Sequence, residues 1–139
     1  MILLDTNVLS RLLSGDKDPR LDQWLDAQPS VSIWTTSITV MEIRYGIERL
    51  DAGRRREALG QAFERILAGE LGGRVVEFDR RAGECTATLL AQRARAGRTV
   101  ELRDTMIAGI ALARRAAVAT GNTRHFTDAG IDIVDPWAA

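Results

Sequence analysis

The chain has 139 residues, 45% of them hydrophobic, which suits a single domain over residues 1–139 with one core. Its formal net charge is zero, so bulk charge gives no argument for nucleic-acid binding. One cysteine excludes an intrachain disulfide and a cysteine zinc site, and no stretch approaches the roughly 20 apolar residues of a membrane span, so we expect a soluble, cytoplasmic protein.

The chain opens with a short apolar run, Ile2-Leu3-Leu4, which is typical of a strand buried on both faces of a parallel sheet. Apolar residues then recur at helical spacing from about residue 6 to residue 13. Asp5 is therefore expected at the carboxyl end of a central strand, the edge at which open α/β sheets form their sites. The alternative interpretation is that Asp5 only caps the helix.

A short helix is predicted to begin near Pro19, and a second strand to cover residues 31–35. A further helix is expected over residues 38–50, and Glu42 lies on its inner side. A lone carboxylate there costs several kcal/mol unless it is paired. The structural alternative is an ion pair with Arg49, which lies close to Glu42 on the helical wheel.

Residues 54–68 form a clear amphipathic pattern that predicts a helix. The run Arg54-Arg55-Arg56 at its start opposes the helix dipole, which makes it a candidate partner surface; the alternative is a solvated face. Val75, Val76 and Phe78 indicate a third short strand, and a helix is expected over residues 81–96.

Asp104 is expected to open a nearly wholly apolar, buried helix that runs through residue 115, after a loop over residues 98–103. Small residues on the same face, Ala108 and Ala111, would let this helix lie close to the sheet and bring the carboxylate near the strand ends. The alternative is again an N-cap.

The last third of the chain predicts a buried strand over residues 116–119, a turn at Thr120-Gly121-Asn122-Thr123 and a final strand near residues 131–134. His125 is the only histidine, and a lone histidine beside an aromatic is expected to be structural or exposed rather than a ligand. Strands that alternate with helices predict an α/β fold with a parallel sheet covered on both faces.

Three acidic residues, Asp5, Glu42 and Asp104, could thus converge at one sheet edge. Two carboxylates about 4 Å apart repel each other by roughly 4 kcal/mol at an effective dielectric constant of 20, so such a cluster must take up protons or bind a cation. Carboxylate oxygens without histidine or cysteine suit a hard ion, Mg²⁺ or Mn²⁺. The chemistry that this favours is metal-assisted hydrolysis of phosphodiester bonds.

At these residues the sequence resembles a known family, the PIN-domain ribonucleases of the VapC toxin type. The resemblance covers essentially the whole chain, and four motifs in order carry it more strongly than any one alone. The four motifs are Leu3-Leu4-Asp5-Thr6-Asn7-Val8-Leu9, Thr39-Val40-Met41-Glu42-Ile43-Arg44-Tyr45-Gly46, Leu102-Arg103-Asp104-Thr105-Met106-Ile107-Ala108 and Thr120-Gly121-Asn122-Thr123-Arg124-His125-Phe126. The segment Asp135-Pro136-Trp137 near the end of the chain also matches.

The resemblance implies a three-layer α/β/α sandwich around a mainly parallel sheet of four or five strands. It implies that Asp5, Glu42 and Asp104 hold a divalent metal, and that the chain is a Mg²⁺-dependent endoribonuclease. It further implies a homodimer and neutralisation by a VapB-type antitoxin whose tail enters the site. Targets of such toxins include transfer and ribosomal RNA.

Asn122 is a departure, because many members of the family carry a fourth acid at this position. An amide can still orient a water molecule but adds no negative charge, which weakens the case for a second tightly held metal. Asp128 lies past the turn and is not expected to replace the missing acid. We expect Asn122 to position water and three further residues to support the acids: Thr6, Asn7 and Thr120.

Two other classes are weighed against this one. A response-regulator receiver normally has an acidic pair after its first strand and a lysine near a late strand, whereas here Thr6-Asn7 follows Asp5 and the only lysine is Lys17. A catalytically silent PIN domain that acts as an RNA-binding or scaffold module is kept open by Asn122.

Overall fold

Five parallel strands form the central sheet of the computed structural model, which describes residues 1–138. The strands lie in the order β3-β2-β1-β4-β5, so the first strand of the chain is the central one. In its register, Leu3 lies beside Trp34 on one side and Val118 on the other. The strand bounds are Ile2–Leu4 (β1), Ile33–Thr36 (β2), Val75–Val76 (β3), Ala117–Ala119 (β4) and Ile133–Val134 (β5).

Six α-helices cover both faces of the sheet. Successive residues of β1 point to opposite faces, and both faces are covered: Leu3 packs in one core cluster with α5 and α6, and Leu4 in another with α1 and α4. The chain therefore has the predicted three-layer α/β/α architecture. The helices are Thr6–Leu13 (α1), Pro19–Asp26 (α2), Ser37–Glu48 (α3), Arg54–Ala68 (α4), Arg80–Arg95 (α5) and Leu102–Arg114 (α6), with 3₁₀ turns at Ser30–Ser32 and Thr123–His125.

None of the helices within residues 1–138 is long and apolar enough to cross a membrane.

Most element boundaries differ from those predicted by one or two residues, and two of these differences have a clear local cause. The second strand begins at Ile33 rather than at residue 31, because Ser30–Ser32 forms a 3₁₀ turn that the apolar pattern does not reveal. Helix α6 begins at Leu102 rather than at Asp104, and its N-cap is Glu101, which makes no side-chain capping bond. The prediction that Asp104 opens the helix is therefore wrong by two residues.

Helices α5 and α6 approach each other closely at Gly109. A methyl group at this position would lie 1.9 Å from Thr86 Oγ1 and 2.8 Å from the carbonyl oxygen of Ala82. The Thr86 hydroxyl already donates a hydrogen bond to that carbonyl, over 2.8 Å, so it has little freedom to move away. The glycine thus sets the spacing between the two helices, and it belongs to the helix that carries Asp104.

We expect the variant Gly109→Ala to lower the free energy of unfolding by about 1–3 kcal/mol, because the added methyl group overpacks this contact. The matched control is Gly46→Ala in α3, where a methyl group meets nothing within 4 Å and should stabilise the helix by about 0.5–1 kcal/mol. Urea unfolding of both variants measures the difference. Equal stability of the two variants would contradict the close approach of α5 and α6.

Candidate active site

Asp5 lies at the carboxyl end of β1 and is almost fully buried, with 2% of its surface exposed. Its Oδ1 atom accepts a hydrogen bond of 2.8 Å from the backbone N–H of Thr6, so Asp5 caps α1. Its Oδ2 atom accepts hydrogen bonds of 2.8 Å from Asn7 Nδ2 and from Thr120 Oγ1. Asp5 therefore does more than cap the helix, because its other carboxylate oxygen is held by side chains from α1 and from the turn after β4.

Asn7 and Thr120 tie the end of β1 to the end of its neighbour β4. Asn7 Nδ2 lies 3.0 Å from Thr120 Oγ1, and Asn7 Oδ1 accepts a bond of 2.9 Å from the N–H of Gly121. A methyl group on Gly121 would lie 3.0 Å from the ring of Trp137, so glycine leaves room for that ring. The two predicted supports thus fix the position of the Asp5 side chain.

The pKa of Asp5 is raised from its usual 3.8 to about 6. Burial is the largest cause, because it removes the charged form from water. Hydrogen bonds from Thr120 and the Thr6 backbone act in the opposite direction, and the negative charges of Asp104 and Glu42 raise the pKa further. The three predicted acids therefore lie close enough for their charges to act on one another.

Glu42 extends from α3 and has 16% of its side-chain surface exposed. Its Oε1 atom accepts a hydrogen bond of 2.8 Å from Thr6 Oγ1, and its Oε2 atom lies 3.5 Å from Arg103 Nη1. The alternative pairing with Arg49 is wrong, since the Arg49 guanidinium lies over the ring of Tyr45, 5.4 Å from its centroid. The cation beside Glu42 comes from α6, which is remote in the sequence.

Asp104 lies in the first turn of α6, with 17% of its side-chain surface exposed. The capping interpretation of this residue is wrong, because the helix begins two residues earlier. One of its oxygens, Oδ2, lies 2.8 Å from His125 Nδ1. His125, which the sequence indicates to be structural or exposed rather than a ligand, is thus placed beside a candidate ligand; the only signal of this contact was its position in the motif that follows β4.

The three carboxylates do not form a complete ligand cage as they stand. Among residues 1–138, no group of three or more acidic, histidine or cysteine side chains is arranged to hold a metal ion. Glu42 is engaged with Thr6 and Arg103, and Asp104 with His125. The donor atoms have the chemistry that a hard divalent ion prefers, but such an ion would compete with Arg103 and His125 for their oxygens.

Asn122 lies at the exposed rim of the same edge. Its backbone N–H donates a hydrogen bond of 3.0 Å to Thr120 Oγ1, the atom that also contacts Asp5. We find no hydrogen bond from its side-chain amide to another of residues 1–138, so the amide is free to meet water. Its role as a water-positioning group stays a prediction.

A buried arginine that the sequence did not single out supports Asp104 and His125 from behind. Arg93 has 3% of its surface exposed and pairs with Asp128 at 2.8 Å. It also donates to Thr105 Oγ1 (2.7 Å), next to Asp104 in α6, and to the carbonyl oxygen of His125 (2.8 Å). The hydrogen bond from Arg93 lowers the pKa of Asp128, which is thereby committed to this pair rather than to the acidic cluster.

The sequence matches a known domain family over most of its length. The family model described as the PIN domain matches residues 2–131. A VapC ribonuclease of Sinorhizobium fredii is 39% identical over 137 residues, which cover 99% of this chain and 98% of that protein. A tRNA(fMet)-specific endonuclease VapC of Shigella flexneri is 33% identical over 136 residues, which cover 98% of this chain and 97% of that protein.

Solved structures show the same architecture. The FitAcB structure from Neisseria gonorrhoeae superposes with a TM-score of 0.90 at 30% sequence identity, and covers 100% of both chains. A DNA-bound VapBC structure from Salmonella typhimurium superposes with a TM-score of 0.80 at 32% identity, and covers 97% of both chains. These similarities confirm the predicted fold class.

We expect Arg93→Met to lower the free energy of unfolding by about 2–3 kcal/mol, because it removes the buried guanidinium that donates to Thr105 and to the His125 carbonyl and leaves Asp128 with Arg98 alone, at 3.2 Å. The matched control is Arg95→Met, an exposed arginine of the same helix, which should stay within about 0.5 kcal/mol of wild type. Urea unfolding measures both. Comparable stability of the two variants would show that Arg93 does not hold this network together.

We expect Asp5 to make the metal-free protein less stable as pH rises from about 4 to about 6. Between its unfolded pKa near 3.8 and its folded pKa near 6, the folded state binds more protons than the unfolded state. At about 1.36 kcal/mol per pKa unit the loss reaches roughly 3 kcal/mol and is complete above pH 6. Asp18 and Asp128, whose pKa values are lowered, act mainly below this window.

The measurement is the free energy of unfolding in EDTA from about pH 4 to pH 7, for wild type and Asp5→Asn. The variant should lack the decline that wild type shows between pH 4 and pH 6. Parallel curves would mean that the pKa of Asp5 is not raised.

Proposed function

The chain belongs to the PIN-domain family, among its VapC-type toxins, and on that premise we propose that it is a metal-dependent endoribonuclease that acts as the toxin of a VapBC-type toxin–antitoxin pair. The observation that carries this proposal is the buried Asp5 carboxylate at the carboxyl end of the central strand, with Asp104 and Glu42 close enough for their charges to act on it. The names of the relatives, a ribonuclease and a tRNA endonuclease, support RNA as the substrate and transfer RNA as the first one to test.

We propose Mg²⁺, or Mn²⁺ in its place, as the cofactor. Asp5 and Asp104 would bind the ion directly, and Glu42 directly or through water. When bound, the ion lowers the pKa of a coordinated water and neutralises negative charge on the phosphate. The support is the donor set, since every nearby acidic group offers carboxylate oxygens and the sequence has no second histidine and only one cysteine.

Other residues of the chain orient the carboxylates and the attacking water. Thr120 and Asn7 keep the Asp5 carboxylate aimed at the sheet edge through three short hydrogen bonds. Thr6 orients the Glu42 carboxylate, which in our proposal takes the proton from the attacking water. Asn122 at the rim positions that water.

Two basic side chains contact the remaining acids. His125 lies against Asp104, and Arg103 lies against Glu42 and also pairs with Glu101. The pKa of Arg103 is raised, first by its bond to Glu101 and then by the charges of Glu101, Glu42 and Asp104, so Arg103 stays charged beside the site. In our proposal Arg103 turns to the RNA backbone when an ion binds Glu42.

A second candidate function is a catalytically silent PIN domain that binds RNA or serves as a scaffold. Two observations favour it: no three ligands are in place among residues 1–138, and Asn122 stands where an acid would add charge. The first observation also fits an enzyme that rearranges two side chains when its ion binds, so we place this candidate second.

The proposed partners are a VapB-type antitoxin and a second copy of this chain. The similar structures are described as a DNA-bound VapBC from Salmonella typhimurium and as FitAcB from Neisseria gonorrhoeae. Support for a homodimer comes from exposed apolar side chains near the site: Met41 and Tyr45 lie one turn apart on α3, and Leu102 precedes Arg103. We propose that the complex is cytoplasmic, as the sequence predicts.

We expect the purified chain to cleave transfer RNA in Mg²⁺ or Mn²⁺ and to lose that activity in EDTA. Asp5→Asn should lower cleavage by more than about 100-fold, because even residues that merely support metal ligands are worth 10–100-fold. The matched control is Asp22→Asn, an exposed acid on α2, which should cleave like wild type. Gel analysis of end-labelled RNA measures the rates.

Cleavage that persists in EDTA, or in Asp5→Asn, would overturn the metal mechanism. RNA binding without cleavage by wild type in either metal would favour the silent module.

A further inference from the structure

A cavity of about 270 Å³ adjoins the candidate active site and plays no part in the mechanism above. It lies between α1, α3 and α4, and it shares Thr6 and Glu42 with the site. Its walls are mainly apolar, with leucine side chains from three segments: Leu13, Leu50 and Leu59. A molecule bound at the acids therefore has direct access to this cavity.

Arg55 also lines the cavity, at the start of α4. The three consecutive arginines of the sequence, Arg54-Arg55-Arg56, differ in whether they form an ion pair. Arg56 is paired with Glu48, whereas Arg54 and Arg55 have no carboxylate within 4 Å among residues 1–138. Of these two exposed arginines, only Arg55 borders the cavity. The cavity thus has an acidic end at Glu42 and a cationic end at Arg55.

We propose that this cavity binds the nucleotide of an RNA strand that is next to the scissile phosphate, with the base and ribose against the leucine walls and the following phosphate on Arg55. The inference rests on the proposed function, since it deepens the same site. The charges agree with this orientation of the nucleotide, because Glu42 repels a phosphate, while a guanidinium with no acidic partner can bind one with two parallel hydrogen bonds.

Size and continuity favour a single nucleotide as the occupant. Pockets for drug-sized ligands start at about 300 Å³. A cavity of about 270 Å³ therefore has room for one nucleotide rather than several. Because Thr6 and Glu42 line the cavity, a group bound in the cavity lies next to a group bound at the acids. A polymer cut at the acids would place its adjacent unit here. A peptide segment of a partner protein is the competing occupant, and the test below separates the two.

The experiment measures RNA binding in EDTA, so that it is independent of cleavage. The probe is a fluorescein-labelled single-stranded RNA of about 12 nucleotides that contains all four bases, followed by anisotropy over a range of salt concentrations. We expect Arg55→Gln to weaken binding about tenfold and to reduce the slope of log K against log salt by about 0.7, which is the loss of one phosphate contact on a single strand.

Arg54→Gln is the matched control, because it removes the same charge from the preceding position, which does not border the cavity. It should leave the slope unchanged. Gly46→Met tests the volume instead of the charge: Gly46 lines the cavity, and a side chain there enters open space rather than the packed interior. We expect it to weaken RNA binding about tenfold while thermal unfolding stays close to that of wild type.

The outcomes separate this inference from the proposed function. If wild type does not cleave RNA but Arg55→Gln and Gly46→Met still weaken RNA binding, the proposed nuclease activity is rejected and the nucleotide site is retained. Equal RNA binding by Arg55→Gln and Arg54→Gln would overturn the nucleotide site even if wild type cleaves. Loss of antitoxin binding alone, with RNA binding unchanged, would assign the cavity to a peptide and equally overturn it.

Discussion

The burial of one carboxylate, that of Asp5, is the constraint on which the rest of the site depends. An ionisable group at the end of a central strand costs several kcal/mol unless hydrogen bonds replace its water. Three bonds of 2.8 Å do so, from the Thr6 backbone, the Asn7 amide and the Thr120 hydroxyl. Since Thr120 follows β4 and Asn7 lies in α1, the hydrogen bonds to Asp5 also fix how the start of α1 and the turn after β4 meet.

The other two acids are held by a different arrangement, in which each carboxylate has a basic side chain nearby. Glu42 has Arg103, and Asp104 has His125. The charge of Arg103 offsets part of the repulsion among the three neighbouring carboxylates. Behind them, buried Arg93 joins α5 to α6 and to the turn after β4. The edge is thus assembled from two networks, one centred on Asp5 and one on Arg93.

Most of the fold could be predicted because the spacing of apolar residues within each helix or strand indicates which of its faces is buried. The run Ile2-Leu3-Leu4 has no polar alternation, and the structure buries Leu3 and Leu4 on opposite faces of the sheet. The bounds of α4 agree with the prediction residue for residue. The start of α6 was misplaced because neither Leu102 nor Glu101 carries a capping signal, whereas Asp104 is a residue type that commonly caps helices.

By itself, the sequence determined the layers of the fold, the acids at the strand ends and the family, since hydrophobic period and motif order are local properties of the chain. Only the tertiary structure decided the partner of each acid. Arg103 rather than Arg49 lies beside Glu42, His125 lies beside Asp104, and Arg93 supports both α6 and the turn that follows β4. The physical reason is that these contacts join segments far apart in the chain, and any of 18 arginines could have served until packing brought one of them within reach.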